Sequence, residues 1–268
     1  MGLTTSGQPL NNESFPMHGV PKKIILFRLD NKVAVVTGGA GGLGRAMAEA
    51  LHDAGARVAV IGRSERVKEL EQHGFMSIRG DLTHKGEPAR VLSEVVQAFH
   101  QLDILVAAHG IARRGAAEDF SREDWDDTLE TNLTSVFETA KAAGQHFLRQ
   151  GKGKIVLIAS MLSYSGGMNA CAYAASKGGI AQLTKALANE WAGRGVNVNA
   201  IAPGYFETPM TQALRDDPKK NQQILDRLPA RRWGKPHELA GALVFLTSAA
   251  SDYVHGTILP VDGGWLAR

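Results

Sequence analysis

In the stretch CAYAASKGG, residues 171–179, Tyr173 and Lys177 stand four positions apart among alanines and glycines. On a helix that spacing brings a phenol and an ammonium to one face, roughly 5–6 Å apart. A free phenol titrates near about 10, too high for a good base at neutral pH, and a nearby positive charge favours its ionised form. The pair could therefore move a proton at a substrate oxygen. Upstream, TGGAGGLGRAMAEAL sets Gly38, Gly42 and Gly44 in GxxxGxG spacing between a β-branched run and a run of good helix formers. Glycines there permit a tight turn and let the backbone approach a pyrophosphate at a helix N-terminus, where amide donors and the helix dipole favour an anion. A proton moved at an oxygen, beside a dinucleotide held in fixed geometry, is what hydride transfer at a carbinol carbon requires.

The elements that must position these groups alternate. KVAVVTG, RVAVIG, FMSIRGD, DILVAAHG, KIVLIAS, VNVNAIAPG and GTILPVDGG read as seven strands of near-continuous hydrophobicity. Strands apolar on both faces belong in a parallel sheet covered by helices. Helical spacing falls between them, over 43–54, 65–73, 87–100, 121–150, 172–193 and 236–249. This alternation predicts an α/β doubly wound Rossmann fold, a seven-stranded parallel sheet with helices on both faces. Crossovers should be right-handed, and ligand should lie beyond the carboxyl ends of the strands where strand order switches. Residues 1–30 read as a polar N-terminal arm and 31–268 as a single dehydrogenase-type domain. Within it 205–235 is the longest irregular stretch, placed to act as a substrate lid.

The second strand ends in VAVIGRSER, where a fold that prefers NAD carries an acid for the ribose hydroxyls. Here Gly62 precedes Arg63 and Ser64, a pair suited to a 2′-phosphate, so the residues favour NADP(H) and leave NAD(H) open. The third strand ends in Asp81 and Leu82, a carboxylate to accept from an adenine amino group and an apolar cover for the ring; a helix-capping aspartate is the alternative.

Composition narrows the function. With 44% hydrophobic and 21% charged residues and no apolar run near the ~20 residues of a bilayer span, the expectation is a globular chain with no membrane partner. Thirty Lys plus Arg against 27 Asp plus Glu, with no basic stripe interleaved with aromatics, argue against a nucleic-acid partner. PKK precedes only the four-residue IILF, so no signal peptide is expected. Cys171 is alone; neither an intrachain disulfide nor a thiolate metal cluster can form, no metal is expected, and the usage suits a reducing cytoplasm.

TGGAGGLG, Ser160 thirteen residues before Tyr173, and the complete YxxxK resemble the short-chain dehydrogenase/reductase family over nearly all of 31–268. Asn132 in TNLTSVF and PGYFET fall where that family has its helix asparagine and its PGxxxT turn. The resemblance implies a catalytic tetrad of Asn132, Ser160, Tyr173 and Lys177. Tyr173 would be the acid/base, Lys177 its positive neighbour and a ribose ligand, Ser160 the holder of the substrate oxygen. Asn132 would hold, through its backbone, a water that feeds protons to the lysine. The cofactor would also meet Leu43, Gly110, Pro203, Gly204 and Thr208, the last orienting the carboxamide. RRGAAEDFSREDWDD, IASMLSYSGG, LANEWAGRGVNVNAIAPGY, ILDRLPARRWG and DYVHGTILPVDGGWLAR resemble more closely the family's sugar-acid branch, the gluconate and 2-dehydro-3-deoxy-gluconate 5-dehydrogenases. That branch implies interconversion of a secondary alcohol and ketone at C5 of a hexonate by a homotetramer. Arg113 and Arg114 after the fourth strand, and Arg231 and Arg232 closing the lid, are candidates for the substrate carboxylate.

Two readings compete: a 3-oxoacyl thioester (acyl-carrier-protein) reductase built on the same tetrad, and a dinucleotide-sensing protein without catalysis. The sequence also departs from the family pattern. The usual NNAG after the fourth strand is AAHG, with Ala107, Ala108 and His109, and a histidine there is either structural or a ligand of cofactor or substrate. Trp265 near the carboxyl end, with the helices at 121–150 and 172–193, could be covered by neighbouring subunits.

Overall fold

A computed structural model describes residues 25–268. Its seven strands are β1 (Val33–Thr37), β2 (Arg57–Gly62), β3 (Met76–Arg79), β4 (Ile104–Ala107), β5 (Gly153–Ile158), β6 (Val196–Pro203) and β7 (Ile258–Val261). They form one parallel sheet in the order β3-β2-β1-β4-β5-β6-β7. The chain winds outward from β1 to β3, then returns to place β4 on the other side of β1. The resulting crevice lies between the carboxyl ends of β1 and β4, where the switch in order predicts a ligand.

Both faces are covered, and the period of two shows it. Val33 and Val35 face one core with α2 (Glu87–Phe99), α4 (Ser135–Gln150) and α5 (Cys171–Trp191). Ala34 and Val36 face the other, with α1 (Gly42–Asp53) and α8 (Ala240–Thr247). Every residue of β1 and of β6 is buried, as a doubly covered parallel sheet demands. No helix among the described residues is long and apolar enough to cross a membrane.

The helix expected over 236–249 opens as a 3-10 turn at Pro236–Leu239 before α8, and three further elements differ from the spacing-based expectation. Residues 65–73 form a 3-10 rather than an α-helix; their two buried side chains, Val67 and Leu70, are three apart and stack on one edge at three residues per turn. The helix expected over 121–150 is interrupted. Helix α3 (Arg122–Leu129) gives way to a π turn at Glu130–Thr134 before α4 resumes. The stretch 205–235 is not irregular throughout, because it holds α6 (Gln212–Arg215) and α7 (Pro218–Arg227). Asp217 caps α7 by accepting from the backbone N–H groups of Lys219 and Lys220.

Of the N-terminal arm, residues 1–24 lie outside the described residues. Leu29 is buried, and its N–H donates to the Ala54 carbonyl at 2.9 Å, tying 25–30 to the end of α1.

Candidate active site

The phosphate end begins with the turn after β1. Gly38 has φ +68°, and a Cβ on it would lie 2.8 Å from the Cα of His109. A Cβ on Gly44 would lie 2.3 Å from the Gly38 carbonyl oxygen, so only glycine lets the turn close this tightly on α1. Gly42 and Leu43 open α1 beside them, and the helix N-terminus faces a cleft of about 1170 Å³. That exceeds the 300–1,000 Å³ typical of pockets for one small ligand, and leaves room for a dinucleotide beside a substrate.

At its far end Arg63, Asp81 and Leu82 line the cleft. Glu65, the neighbour that could have claimed Arg63, pairs instead with Arg79 and Lys68. Arg63 stays half exposed, its guanidinium 3.9 Å from Asp81 Oδ2. Burial pulls the Asp81 carboxyl up, but the Thr83 hydroxyl and amide, with the charges of Arg63 and His84, hold it below its usual range. Its Oδ1 accepts from Thr83 in a tight turn while Oδ2 faces Arg63; Asp81 lines the cleft and does not cap a helix, since the N-cap of α2 is Gly86. Ser64 does not line the cleft. It opens the 3-10 helix at 65–73, exposed, and of the expected pair Arg63 alone lines the cleft. A glycine cradle at a helix N-terminus and a half-exposed guanidinium beyond the second strand, held only by a long 3.9 Å ion pair, fit a phosphorylated dinucleotide.

The reacting end gathers residues from β5, α5 and the π turn. Ser160 follows β5, buried, and its Oγ accepts from the Leu162 N–H at 3.1 Å. Tyr173 and Lys177 project from the first turns of α5 into the same cleft, with the Lys177 Nζ 5.8 Å from the Tyr173 ring centre. Burial raises the phenol above its ordinary value of 10, against the hydrogen bond from Ser160 and the charge of Arg114. Burial lowers the Lys177 ammonium to about 8, and it donates to the Ile158 carbonyl at 2.6 Å. Lys177 gives one of its three N–H donors to the end of β5, and Arg114 adds a second positive charge that reaches the phenol.

Asn132 lies behind this group rather than on the cleft wall, fully buried. Its Nδ2 donates to the Ile111 carbonyl at 2.9 Å and its Oδ1 accepts from the Ile111 N–H at 2.8 Å. A further bond from Nδ2 to Ser176 Oγ, at 3.2 Å, reaches α5. The π turn makes this possible by breaking the helical ladder where the side chain meets the backbone beyond β4. Gly110 belongs there too, since a Cβ on it would stand 3.1 Å from Asn132 Oδ1. Pro203, Gly204 and Thr208 line the cleft from the end of β6, and Thr208 is fixed by a reciprocal cap with Thr211.

The four candidate arginines separate. Arg114 lines the cleft. Arg113 turns away to α3, with its Nη2 donating to Asp127 at 2.8 Å. Arg231 pairs with Asp226 at 3.6 Å and donates to that residue's carbonyl. Arg232 makes two bonds to the Glu238 carboxylate, at 2.6 and 2.7 Å. Carboxylates on their own or neighbouring elements hold these three outside the cleft.

Arg227 and Lys220 of α7 line the cleft instead, and the sequence reading missed both. The Arg227 guanidinium lies over the Trp265 ring, 3.9 Å from its centre. Trp265 is buried by its own chain, against Tyr205, and with Ile224, Leu228, Trp233 and Met161 it makes a third apolar cluster. A neighbouring subunit is not needed to cover it. The available signal was Ile224, the buried residue of α7: Lys220 and Arg227 stand four before and three after it, on the same helical face.

His109 lines the cleft with both ring nitrogens engaged, Nδ1 with Thr37 Oγ1 at 2.6 Å and Nε2 with Ser135 Oγ at 2.9 Å. Burial, with the charges of Lys177 and Arg63, lowers it to about 3.

A family model described as Enoyl-(Acyl carrier protein) reductase matches residues 38–266. The chain is 49% identical over 249 residues to the 2-dehydro-3-deoxy-D-gluconate 5-dehydrogenase of Escherichia coli (strain K12), covering 90% of this chain and 98% of that relative. To the enzyme of the same name from Bacillus subtilis (strain 168) it is 46% identical over 250 residues, covering 90% and 97%. The crystal structure of a gluconate 5-dehydrogenase from Burkholderia cenocepacia J2315, in complex with NADP and tartrate, superposes with a TM-score of 0.86 at 37% identity, covering 91% of this chain and 98% of that one.

Proposed function

Because the chain belongs to the short-chain dehydrogenase/reductase family, we propose that it interconverts a secondary alcohol and a ketone at C5 of a sugar acid, of the gluconate or 2-dehydro-3-deoxy-gluconate type, with NADP(H) as cofactor. The observation that carries the reading is the meeting, in one cleft, of Tyr173, Ser160 and Lys177 with Arg114 and Arg227. The first three are the groups of alcohol–ketone chemistry, and the two arginines give an anionic polyol its handle.

When bound, the dinucleotide supplies or accepts the hydride. Gly38, Gly42, Leu43 and Gly44 would cradle its pyrophosphate, Arg63 its 2′-phosphate, and Asp81 with Leu82 its adenine. Thr208, with Pro203 and Gly204, would orient the carboxamide end. Tyr173 donates a proton to the carbonyl oxygen in reduction and accepts it in oxidation, while Ser160 holds that oxygen at hydrogen-bond distance. The phenol stands above its ordinary value among the protein's own groups, so Lys177, 5.8 Å from its ring centre, and Arg114 would act with the positive charge of an oxidised nicotinamide to favour the phenolate. Lys177, fixed by Ile158, presents the rest of its ammonium to the ribose, and Asn132 keeps the loop after β4 against α5. The substrate carboxylate would lie between Arg114 and Arg227, with Lys220 adding charge at the rim. A lid formed by residues 205–235 would shield the reacting atoms from water.

The thioester alternative calls for a basic patch beside the cleft, and the pairing of Arg113, Arg231 and Arg232 with acids works against one. A cytoplasmic location draws on the lone Cys171 and a homotetramer on the family resemblance; both belong to this proposal. The test is a cofactor-coupled absorbance screen of keto sugar acids, gluconate and an acetoacetyl thioester, each with NAD and with NADP. Turnover of a sugar acid with NADP is expected, and turnover of the thioester alone would sink the sugar-acid reading. Tyr173→Phe should abolish turnover while NADP still binds; retained turnover would remove Tyr173 from its role.

A further inference from the structure

The sequence singles out His109, and the reaction described above makes no use of it. Its surroundings determine where its proton lies. The Ala108 N–H donates to Thr37 Oγ1 at 3.1 Å, so that oxygen spends one lone pair as acceptor and is free to give its own proton to His109 Nδ1 at 2.6 Å. On the other side the Ser135 hydroxyl donates to the Thr131 carbonyl, an obligate acceptor, at 2.7 Å. Its oxygen can then only accept, and what it accepts at 2.9 Å is the proton of His109 Nε2. With the ring neutral, the bonds form a chain directed from the Ala108 amide to the Thr131 carbonyl, and the Ser135 end fixes its sense.

We propose that His109 is a positioning residue, a single-tautomer imidazole bridge that ties the glycine turn after β1 to the π turn carrying Asn132. Thr37 immediately precedes Gly38, whose missing Cβ leaves the turn packed on the His109 Cα. Thr131 immediately precedes Asn132. The bridge therefore spans the phosphate cradle and the proton-transfer group, two parts of the cleft that no strand pairing joins directly. A second proton on the ring would sit on Nδ1 and face the Thr37 hydroxyl, a fully buried group already turned toward it. The charged groups that act on the ring are Lys177 from α5, Arg63 after β2 and Asp81 after β3, and the two cations oppose protonation. The ring gives and accepts in fixed directions, so it carries geometry and no proton.

The inference goes beyond the dehydrogenase reading, and its first test is independent of turnover. Long-range 1H–15N correlation on the 15N-histidine-labelled full chain, with and without NADP, should show His109 Nδ1 unprotonated and Nε2 protonated, unchanged between about pH 5 and pH 9. A proton on Nδ1, or titration of this ring within that window, overturns it. His109→Ala should lower kcat by roughly 10-fold and weaken NADP binding together, with the pH–rate profile keeping its shape. Ser135→Ala should do the same, and the double variant should be no worse than either single one. Additive losses, or unchanged kcat and NADP affinity in His109→Ala, would also refute the bridge. If His109→Ala does not fold, the spectrum of the wild-type chain still decides.

Discussion

Lys177 supports the sharpest energetic prediction. It is 4% exposed, and burial takes its ammonium from 10.5 to about 8. Across about 2.5 pH units at 1.36 kcal/mol each, the folded state bears about 3 kcal/mol for keeping the charge inside. The sign follows from proton counts. Between about 8 and 10.5 the unfolded chain binds more protons at this lysine than the folded one, so stability rises with pH through that window. Below about 8 the lysine is charged in both states and the whole cost is present. Lys177→Met removes the charge and keeps the length of the stem, but leaves the Ile158 carbonyl without its 2.6 Å donor, a loss of about 1 kcal/mol. The variant should therefore be more stable than wild type by roughly 2 kcal/mol near neutrality, with the advantage vanishing by about pH 10.5, and it should be inactive. Urea midpoints at matched protein concentration, across that pH range, measure the difference, and other titrating groups cancel between the two chains. A gap that stays constant with pH, or a variant less stable than wild type at neutrality, would refute the reasoning.

Other consequences can be checked at the cleft. Arg227→Ala and Arg114→Ala should each raise KM for a sugar acid by roughly 10- to 100-fold, the worth of a charge-assisted hydrogen bond; Arg227→Ala should leave a neutral ketone nearly unaffected, whereas Arg114→Ala, whose charge reaches the Tyr173 phenol, should also lower kcat on the neutral ketone. Arg113→Ala and Arg232→Ala, whose guanidiniums pair with Asp127 and Glu238, should change KM less than 3-fold in steady-state kinetics. Gly44→Ala would force a methyl to within 2.3 Å of the Gly38 carbonyl, so NADP affinity in a titration should collapse, with a lower melting temperature. Arg63→Glu should invert the cofactor preference from NADP toward NAD, because a carboxylate repels the 2′-phosphate and suits the free hydroxyls; unchanged preference in paired titrations would place the discrimination elsewhere.

Much of this was legible before any coordinates. The strands could be read because β1 and β6 are buried on both faces and so are apolar at every position, a signal that needs no partner to interpret. The glycine turn, Ser160, Tyr173 and Lys177 were legible because each must be one residue type at a fixed separation along the chain. The π turn was not, because helical spacing at 121–150 continues on either side of it and the Asn132 bonds to Ile111 that it permits lie across the fold. The arginines were the weakest case. A guanidinium's direction depends on which carboxylate lies nearby, and Asp127, Asp226 and Glu238 decided it for Arg113, Arg231 and Arg232. Arg227 escaped notice because α7 was hidden in a stretch read as irregular.

The third apolar cluster is separate from the two that clothe the sheet, and it joins Ile224, Leu228 and Trp233 of the 205–235 region to Trp265 and to Met161. A region that buries its own few side chains can open as a local cooperative unit, at a free energy well below that of global unfolding. Met161 directly follows Ser160, so such an opening would withdraw packing from beside the hydroxyl that holds the substrate oxygen. Substrate enclosure and the firmness of Ser160 would then rise and fall together, and amide exchange at Leu162 and Ser163 should slow in step with that of α7 when a sugar acid and NADP are both bound.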